Sequence, residues 1–436
     1  MGSWGRGSWS ARRGVGLPWL AVAVSAATFA CSSGSGEPPE ARGRWDRIDR
    51  WEQRSSFDFD RVATTSSADA VAWFTRQPEA DGGGLAYWEI RDGEDAVEMP
   101  VPVGPATPAG RSGASTGGGA GADADQVLIP VAVATDAEGW AAVAVTRDRP
   151  AGENKGLMVW QSRLAGDDEI APGEVLPVPD GPSGPPASVS VGRSADTIAV
   201  AAMYDGDPVI WHRTGDRTPP GDAAAEWQAS YREIGTGPGD LVSLRMIGDG
   251  ERLVLAGVED DGTAHLWTST NGRAWDAVAA GDLPAEAGAV GLLAPLRDGH
   301  VLVGWLDDED SAPWNATSAT IQQLEPDGDV VERGTLEAEP DNDIDRVHLT
   351  GATLSPEDRL VMVGAAVRAD GVSTPMVWAE DGDDWHASEQ ANLAGHLDHE
   401  FRVVVSAGDD RMVALAAAMS HPDVEAWRWR PGDPAG

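Results

Sequence analysis

Short apolar runs closed by Asp/Gly turn residues recur along the chain. Around residue 250 they read LVSLRMIGDG, ERLVLAGVEDDG, TAHLWTSTNGRAW and DAVAAGDL. Apolar runs of this length between turn signals predict consecutive antiparallel strands joined by hairpins. The second run is the clearest to trace. It returns as DAVAWFTRQPE (69–79), WAAVAVTRDRP (140–150), TIAVAAMYDGD (197–207), RLVLAGVEDDG (252–262), HVLVGWLDDED (300–310), RLVMVGAAVRADG (359–371) and RMVALAAAMSHPD (411–423). Another apolar run and a turn precede each copy. A third run follows, usually carrying a tryptophan.

The third-run positions are Trp88, Trp160, Trp211, Trp267, Ile321, Trp378 and Trp427, at spacings of 72, 51, 56, 54, 57 and 49. The long first gap holds the Gly/Ala/Pro tract at 103–125, which reads as a flexible insertion. Four short strands at a period of about 50 residues predict the blades of a β-propeller. The expected fold is therefore all-β: a seven-bladed β-propeller of four-stranded antiparallel blades over residues 45–436. Small Ala, Gly and Val suit the crowded axis. A tryptophan on the third strand suits the widening gap between blades and is read as structural. Asn271-Gly272 and Asp381-Gly382 are read as turns leading to outer strands. The last copy leaves no room for a fourth strand, and RWDRID (44–49) resembles the outer-strand opening AWDAVA (274–279). The N-terminal strand is thus expected to complete the seventh blade and remove an exposed edge.

The stretch STNGRAW (269–275) resembles the Asp-box hairpin of sialidase-like propellers, Ser-x-Asp-x-Gly-x-x-Trp. Asn271 stands for the Asp, and the box is one residue shorter. AEDGDDW (379–385) is a weaker match without the Ser, and EIRDGEDA (89–96) keeps only Asp92-Gly93. In that family the box is a structural turn away from the active site, so the resemblance implies fold and not catalysis. Sialidases also use three arginines around a carboxylate, a Tyr–Glu nucleophile pair and an acid Asp, and their Arg-Ile-Pro motif is missing here. Tyr87 adjoins the repeated Trp88 and reads as structural. Tyr231, Arg232 and Glu233 are adjacent, so on a strand they point to alternate faces.

Charge narrows the partners. The net charge is −39, and Lys155 is the single lysine. Such a surface repels nucleic-acid backbones and anionic headgroups, which argues against DNA or RNA binding. Cys31 is the one cysteine, so no intramolecular disulfide forms. Arg6, Arg12 and Arg13 precede an apolar stretch from Gly14 to Ala30, and SSGSGEPPEARGR follows Cys31. That order is a signal peptide (1–30) and a polar linker (31–44). It resembles a bacterial lipoprotein signal, in which the Cys after a small residue receives lipid. The resemblance implies lipidation at Cys31 and an anchor on the extracytoplasmic side of a membrane. Arg12-Arg13 also resembles a twin-arginine export signal.

Other clusters carry less. HLDHE (396–400) puts His396, Asp398 and Glu400 on one strand face, but reads as a solvated strand entry. DNDID (341–345) opens like a calcium loop, yet Arg346 and Ala352 stand where Gly and Glu are needed. WLDDED (305–310) reads as an acidic loop. No Walker loop, dinucleotide fingerprint or HExxH occurs. No catalytic residue, metal or cofactor is assigned. The expected role is binding or scaffolding at the bacterial cell envelope, through the ring face or channel mouth, with a protein or glycan partner. The alternative is a sialidase-like carbohydrate-binding or carbohydrate-hydrolysing propeller. A convergent set of arginines or carboxylates at the channel would favour that alternative.

Overall fold

The computed structural model describes residues 44–52, 62–66, 70–76, 85–91, 97–101, 126–135, 139–148, 154–163, 173–177, 186–194, 197–214, 227–231, 240–307, 316–337, 344–355, 358–368, 373–381, 384–389, 401–408, 411–418 and 423–430. The chain divides into units 1–36 and 37–436, and every described residue belongs to the second. The signal peptide, Cys31, the linker before residue 44, the insertion at 103–125, Arg232, Glu233, residues 308–310 and 341–343, Gly382 and the segment 396–400 lie outside the described residues.

Regular structure among the described residues is strand, apart from two three-residue 3-10 turns at Ala280–Asp282 and Arg297–Gly299. The first described strand is β1 (Arg44–Glu52). Six four-stranded antiparallel meanders follow. The first holds β2 (Val62–Ser66), β3 (Ala70–Arg76), β4 (Leu85–Arg91) and β5 (Val97–Val101). The second holds β6 (Gln126–Thr135), β7 (Gly139–Asp148), β8 (Asn154–Arg163) and β9 (Glu174–Val175). Then come β10 (Ser188–Ser194), β11 (Thr197–Tyr204), β12 (Asp207–Thr214) and β13 (Gln228–Tyr231). The fourth is β14 (Leu241–Gly248), β15 (Leu253–Glu259), β16 (Ala264–Ser269) and β17 (Asp276–Ala277). The fifth is β18 (Ala289–Pro295), β19 (Val301–Leu306), β20 (Ser318–Leu324) and β21 (Val330–Glu337). The sixth is β22 (Ile344–Leu354), β23 (Leu360–Arg368), β24 (Ser373–Asp381) and β25 (Asp384–Glu389). The strands β26 (Phe401–Gly408), β27 (Arg411–Ala418) and β28 (Asp423–Arg430) form a further sheet with β1, in the order β1-β28-β27-β26.

First strands touch first strands around a cycle: β2 with β6, β6 with β10, β10 with β14, β14 with β18, β18 with β22, β22 with β26, and β26 with β2. A closed succession of radial four-stranded sheets is a β-propeller. The cores lie between neighbouring sheets. One joins β10–β12 residues such as Ala201 and Ile210 to Leu244, Leu255 and Trp267. The next joins Val254 and Leu266 to Val303 and Trp305. Second strands are covered on both faces, so β15 and β19 are buried at every position. This is why they read as continuous apolar runs. The outer strand β21 is exposed or half-buried at every position except Leu336.

The tryptophans follow the register. Trp88, Trp160, Trp211, Trp267, Trp378 and Trp427 lie on third strands opposite Trp73, Ala142, Val200, Leu255, Met362 and Ala414. Trp160, Trp211, Trp267 and Trp378 are buried in the cores shared with the preceding sheet. Ile321 is not their counterpart. It packs in the core shared with β22 and β23, and its partner Gly304 is one residue off the pattern. The counterpart is Gln322, opposite Val303. Two residues further along the second strands stand Thr75, Ala144, Ala202, Gly257, Gly364 and Ala416, all small, and in this one sheet Trp305. A Cβ on Gly257 would meet Trp267 Cζ3 at 3.3 Å, so a third-strand indole needs that space. Where Gln322 leaves the gap, Trp305 fills it from the second strand. Its Nε1 donates to Gln322 Oε1 at 3.0 Å. The Gln322 amide donates to Asp282 O at 3.0 Å, much as Trp211 Nε1 donates to Pro177 O at 2.9 Å. The exchange escapes periodicity because the indole moves between strands.

Candidate functional site

The hairpin between β16 and β17 shows what the repeated turn residues do. Ser269 Oγ accepts from the backbone N–H of Gly272 at 2.9 Å and of Asn271 at 3.3 Å. Asn271 Oδ1 accepts from the N–H groups of Arg273 at 2.8 Å and Ala274 at 2.9 Å. Trp275 Nε1 closes the loop onto Gly272 O at 3.2 Å. The side chain of Asn271 thus organises a six-residue connection, 270–275, rather than a two-residue turn. Gly272 has φ +68°, and a Cβ there would lie 2.7 Å from His212 Cβ in the preceding sheet. Glycine is required on both counts. Asp381 pairs with Asp384 at the tighter β24–β25 turn.

The described polar groups mostly tie sheets together. Glu174 accepts from Arg213 at 2.6 Å and from Trp227 at 3.1 Å, both in the following sheet. Arg252, held by Asp249 at 2.7 Å, reaches the carbonyls of Gly299, Glu325 and Pro326 in the next sheet. Asp307, in the acidic run 305–310, accepts from Thr317 Oγ1 at 2.6 Å, Ser318 Oγ at 2.8 Å and two backbone N–H groups. Burial pushes its carboxyl pKa up, but the Thr317 and Ser318 hydrogen bonds outweigh this and hold it below the usual aspartate range. Hydrogen bonds from Thr263 do the same for the exposed Asp261. Tyr87 donates to Glu89 at 3.0 Å and stacks on Trp140 at 4.4 Å. Both residues are buried, Tyr87 in the core between the first and second sheets, and neither is among the described lining of the axial cavity. Among the described residues no three His, Cys, Asp or Glu are grouped to hold a metal.

One concave feature among the described residues is axial. A cavity of about 700 Å³ runs between the first strands, walled chiefly by Val, Leu and Ala. Its polar lining includes Thr65, Ser188, Ser190, Arg245, His348 and Thr350, and among the described residues it holds no carboxylate and no tyrosine. Arg245 and His348 lie on β14 and β22, at non-equivalent levels. Arg245 is opposite Ala256, whereas His348 is opposite Ala365, next to Gly364, the counterpart of Gly257. The sequence motifs do not reveal either residue as a channel group. Arg245 is the one charged residue of β14, whereas β22 also carries Asp345 and Arg346, so no comparable signal marks His348.

No family model and no curated protein matches the chain. Solved structures similar to it include the phage phi92 endosialidase, at 11% identity and a TM-score of 0.43, covering 90% of this chain and 70% of that one. The Dos1 propeller is similar at 11% identity and a TM-score of 0.44, covering 88% and 94%. Trypanosoma rangeli sialidase in complex with the inhibitor DANA is similar at 8% identity and a TM-score of 0.41, covering 74% of this chain and 55% of the sialidase chain, about half its length. These likenesses concern the fold and transfer no residue roles.

Proposed function

We propose that this protein is a lipid-anchored, extracytoplasmic binding or scaffold protein of the bacterial cell envelope, built as a seven-bladed propeller closed by its N-terminal strand. The cyclic contacts of the first strands and the pairing of Trp45 with Trp429 and Trp51 with Val424 support the blade count and the closure. The Ser269, Asn271 and Trp275 hydrogen bonds support the degenerate Asp-box reading. Lipidation rests on Cys31 and its flanking sequence alone. The observation that carries the binding role is the axial cavity: one arginine and no carboxylate or tyrosine line its described wall. Among the described residues no nucleophile–acid pair faces that cavity.

The test has two arms. Cells expressing the full chain or Cys31→Ser are fractionated; the parent should remain with the membrane and the variant should leave it. Equal fractionation would remove the lipid anchor from the proposal. The full chain is also heated with a panel of glycans, sialosides included, with and without Ca²⁺. A ligand at 100 times its Kd stabilises by about 2.7 kcal/mol. A glycan-specific shift followed by turnover would replace the binding role with the carbohydrate-active alternative.

A further inference from the structure

The hairpin between β16 and β17 brings together the parts of an intramolecular reaction. Of the five asparagines in the chain, Asn271 alone is followed by glycine. Glycine has no Cβ to hinder its own amide nitrogen, so that nitrogen can close onto the preceding side chain. Asn271 is exposed, so water reaches its side-chain amide. Its Oδ1 accepts from the N–H groups of Arg273 at 2.8 Å and Ala274 at 2.9 Å. Two backbone donors aimed at one carbonyl oxygen are the arrangement that stabilises an oxyanion. Ser269 bridges the two reacting groups. Its Oγ accepts from the Gly272 N–H at 2.9 Å, and its hydroxyl donates to Asn271 Oδ1 at 3.4 Å.

We propose that Asn271 is a site of self-catalysed deamidation, converted to aspartate within the folded chain. The Gly272 nitrogen attacks Asn271 Cγ. Its proton passes to Ser269 Oγ while the Ser269 hydroxyl proton passes to Asn271 Oδ1. The N–H groups of Arg273 and Ala274 hold that oxygen as the adduct forms. The adduct then collapses: the Oδ1 carbonyl re-forms, the proton moves to Nδ2, and ammonia leaves. The resulting succinimide takes up one water. Cleavage of the new Cγ–N bond restores the backbone and leaves aspartate. Cleavage of the bond from the Asn271 carbonyl carbon to the same nitrogen leaves isoaspartate. The fold selects the first. Isoaspartate adds a methylene to the main chain ahead of Gly272, and Gly272 has no room to move. A Cβ there would lie 2.7 Å from His212 Cβ, 3.2 Å from Thr197 Cγ2 and 3.4 Å from Leu253 Cδ1. Aspartate instead keeps an acceptor for the Arg273 and Ala274 N–H groups, and its charge strengthens both bonds. The proposal does not depend on the axial cavity or on the lipid anchor.

The test compares the chain with itself. The full chain is held in heavy-oxygen water, either folded or unfolded in urea, at the same mildly alkaline pH and temperature. Peptide mass spectrometry with electron-transfer fragmentation then follows residue 271 and separates aspartate from isoaspartate. Heavy oxygen should enter residue 271 at least about tenfold faster in the folded chain than in urea, a modest share of what a preorganised oxyanion site supplies. Aspartate should be the main folded-state product. Ser269→Ala should remove the folded-state advantage, and Ser269→Thr, which keeps the hydroxyl, should retain it; near-ultraviolet circular dichroism checks that both variants are folded. A folded-state rate equal to or below the rate in urea overturns the proposal, and this comparison needs no variant. A folded-state advantage that Ser269→Ala leaves intact overturns the proton transfer through Ser269. Isoaspartate as the main product of the folded chain overturns the selection imposed by Gly272.

Discussion

The exchange of Trp305 for a third-strand tryptophan makes a quantitative prediction. If Trp305 and the repeated indoles fill equivalent gaps, Trp305→Gly and Gln322→Trp are each harmful alone and compensate together. Trp305 is 1% exposed and Gln322 is 5% exposed. Deleting a buried indole costs about 3–5 kcal/mol. Trp305→Gly also leaves Gln322 Oε1 without its donor, which adds about 1–3 kcal/mol. Gln322→Trp alone overfills the gap, at about 1–3 kcal/mol. In the double variant the indole at 322 occupies the space vacated at 305, as Trp267 does beside Gly257. Its Nε1 can take over the bond to Asp282 O. The coupling between the two changes should therefore be favourable by at least about 2 kcal/mol. An unfolding entropy of about 2 cal/mol/K per residue gives a ring of roughly 390 residues about 0.8 kcal/mol/K. A cost of 4 kcal/mol then lowers Tm by about 5 °C, and the double variant should regain at least half of that. Urea unfolding at fixed pH, followed by tryptophan fluorescence and circular dichroism, measures the cycle. Additive costs, or a double variant less stable than either single one, would refute the argument that one gap is filled from two strands.

Two further perturbations follow from the same geometry. Gly272→Ala combines a positive φ with a Cβ 2.7 Å from His212, so it should cost about 2–4 kcal/mol, whereas Arg273→Ala next to it should cost under 0.5 kcal/mol; similar losses in thermal unfolding would remove Gly272 as a required contact. Asp307 has a folded pKa below its unfolded value, so its stabilisation is present above the ordinary aspartate pKa of about 4 and disappears as pH falls through the lower folded value. Asp307→Asn should therefore unfold at lower temperature than the parent at pH 7, with the gap closing below pH of about 4. A gap that widens on acidification would contradict the sign of that shift.

Periodicity in the sequence specified the strand order, the four-strand unit and the third-strand tryptophans, because each unit buries the same face against the same kind of neighbour. Asn271-Gly272 marked a turn, but the six-residue connection set by the Ser269 and Asn271 acceptors was visible only in the structure. Three things were decided only by tertiary structure. Gln322 replaced Ile321 as the counterpart of the tryptophans, since a one-residue change of register on a strand turns a side chain to the opposite gap. Trp305 supplied the missing indole across a strand, a compensation visible only when both strands are paired. The axial cavity was the third. Its wall takes one or two residues from each of several first strands far apart in the chain, so Arg245, His348 and Ser190 form no motif. Local chemistry is written in sequence at short offsets; a channel assembled around an axis acquires its chemistry when the sheets converge.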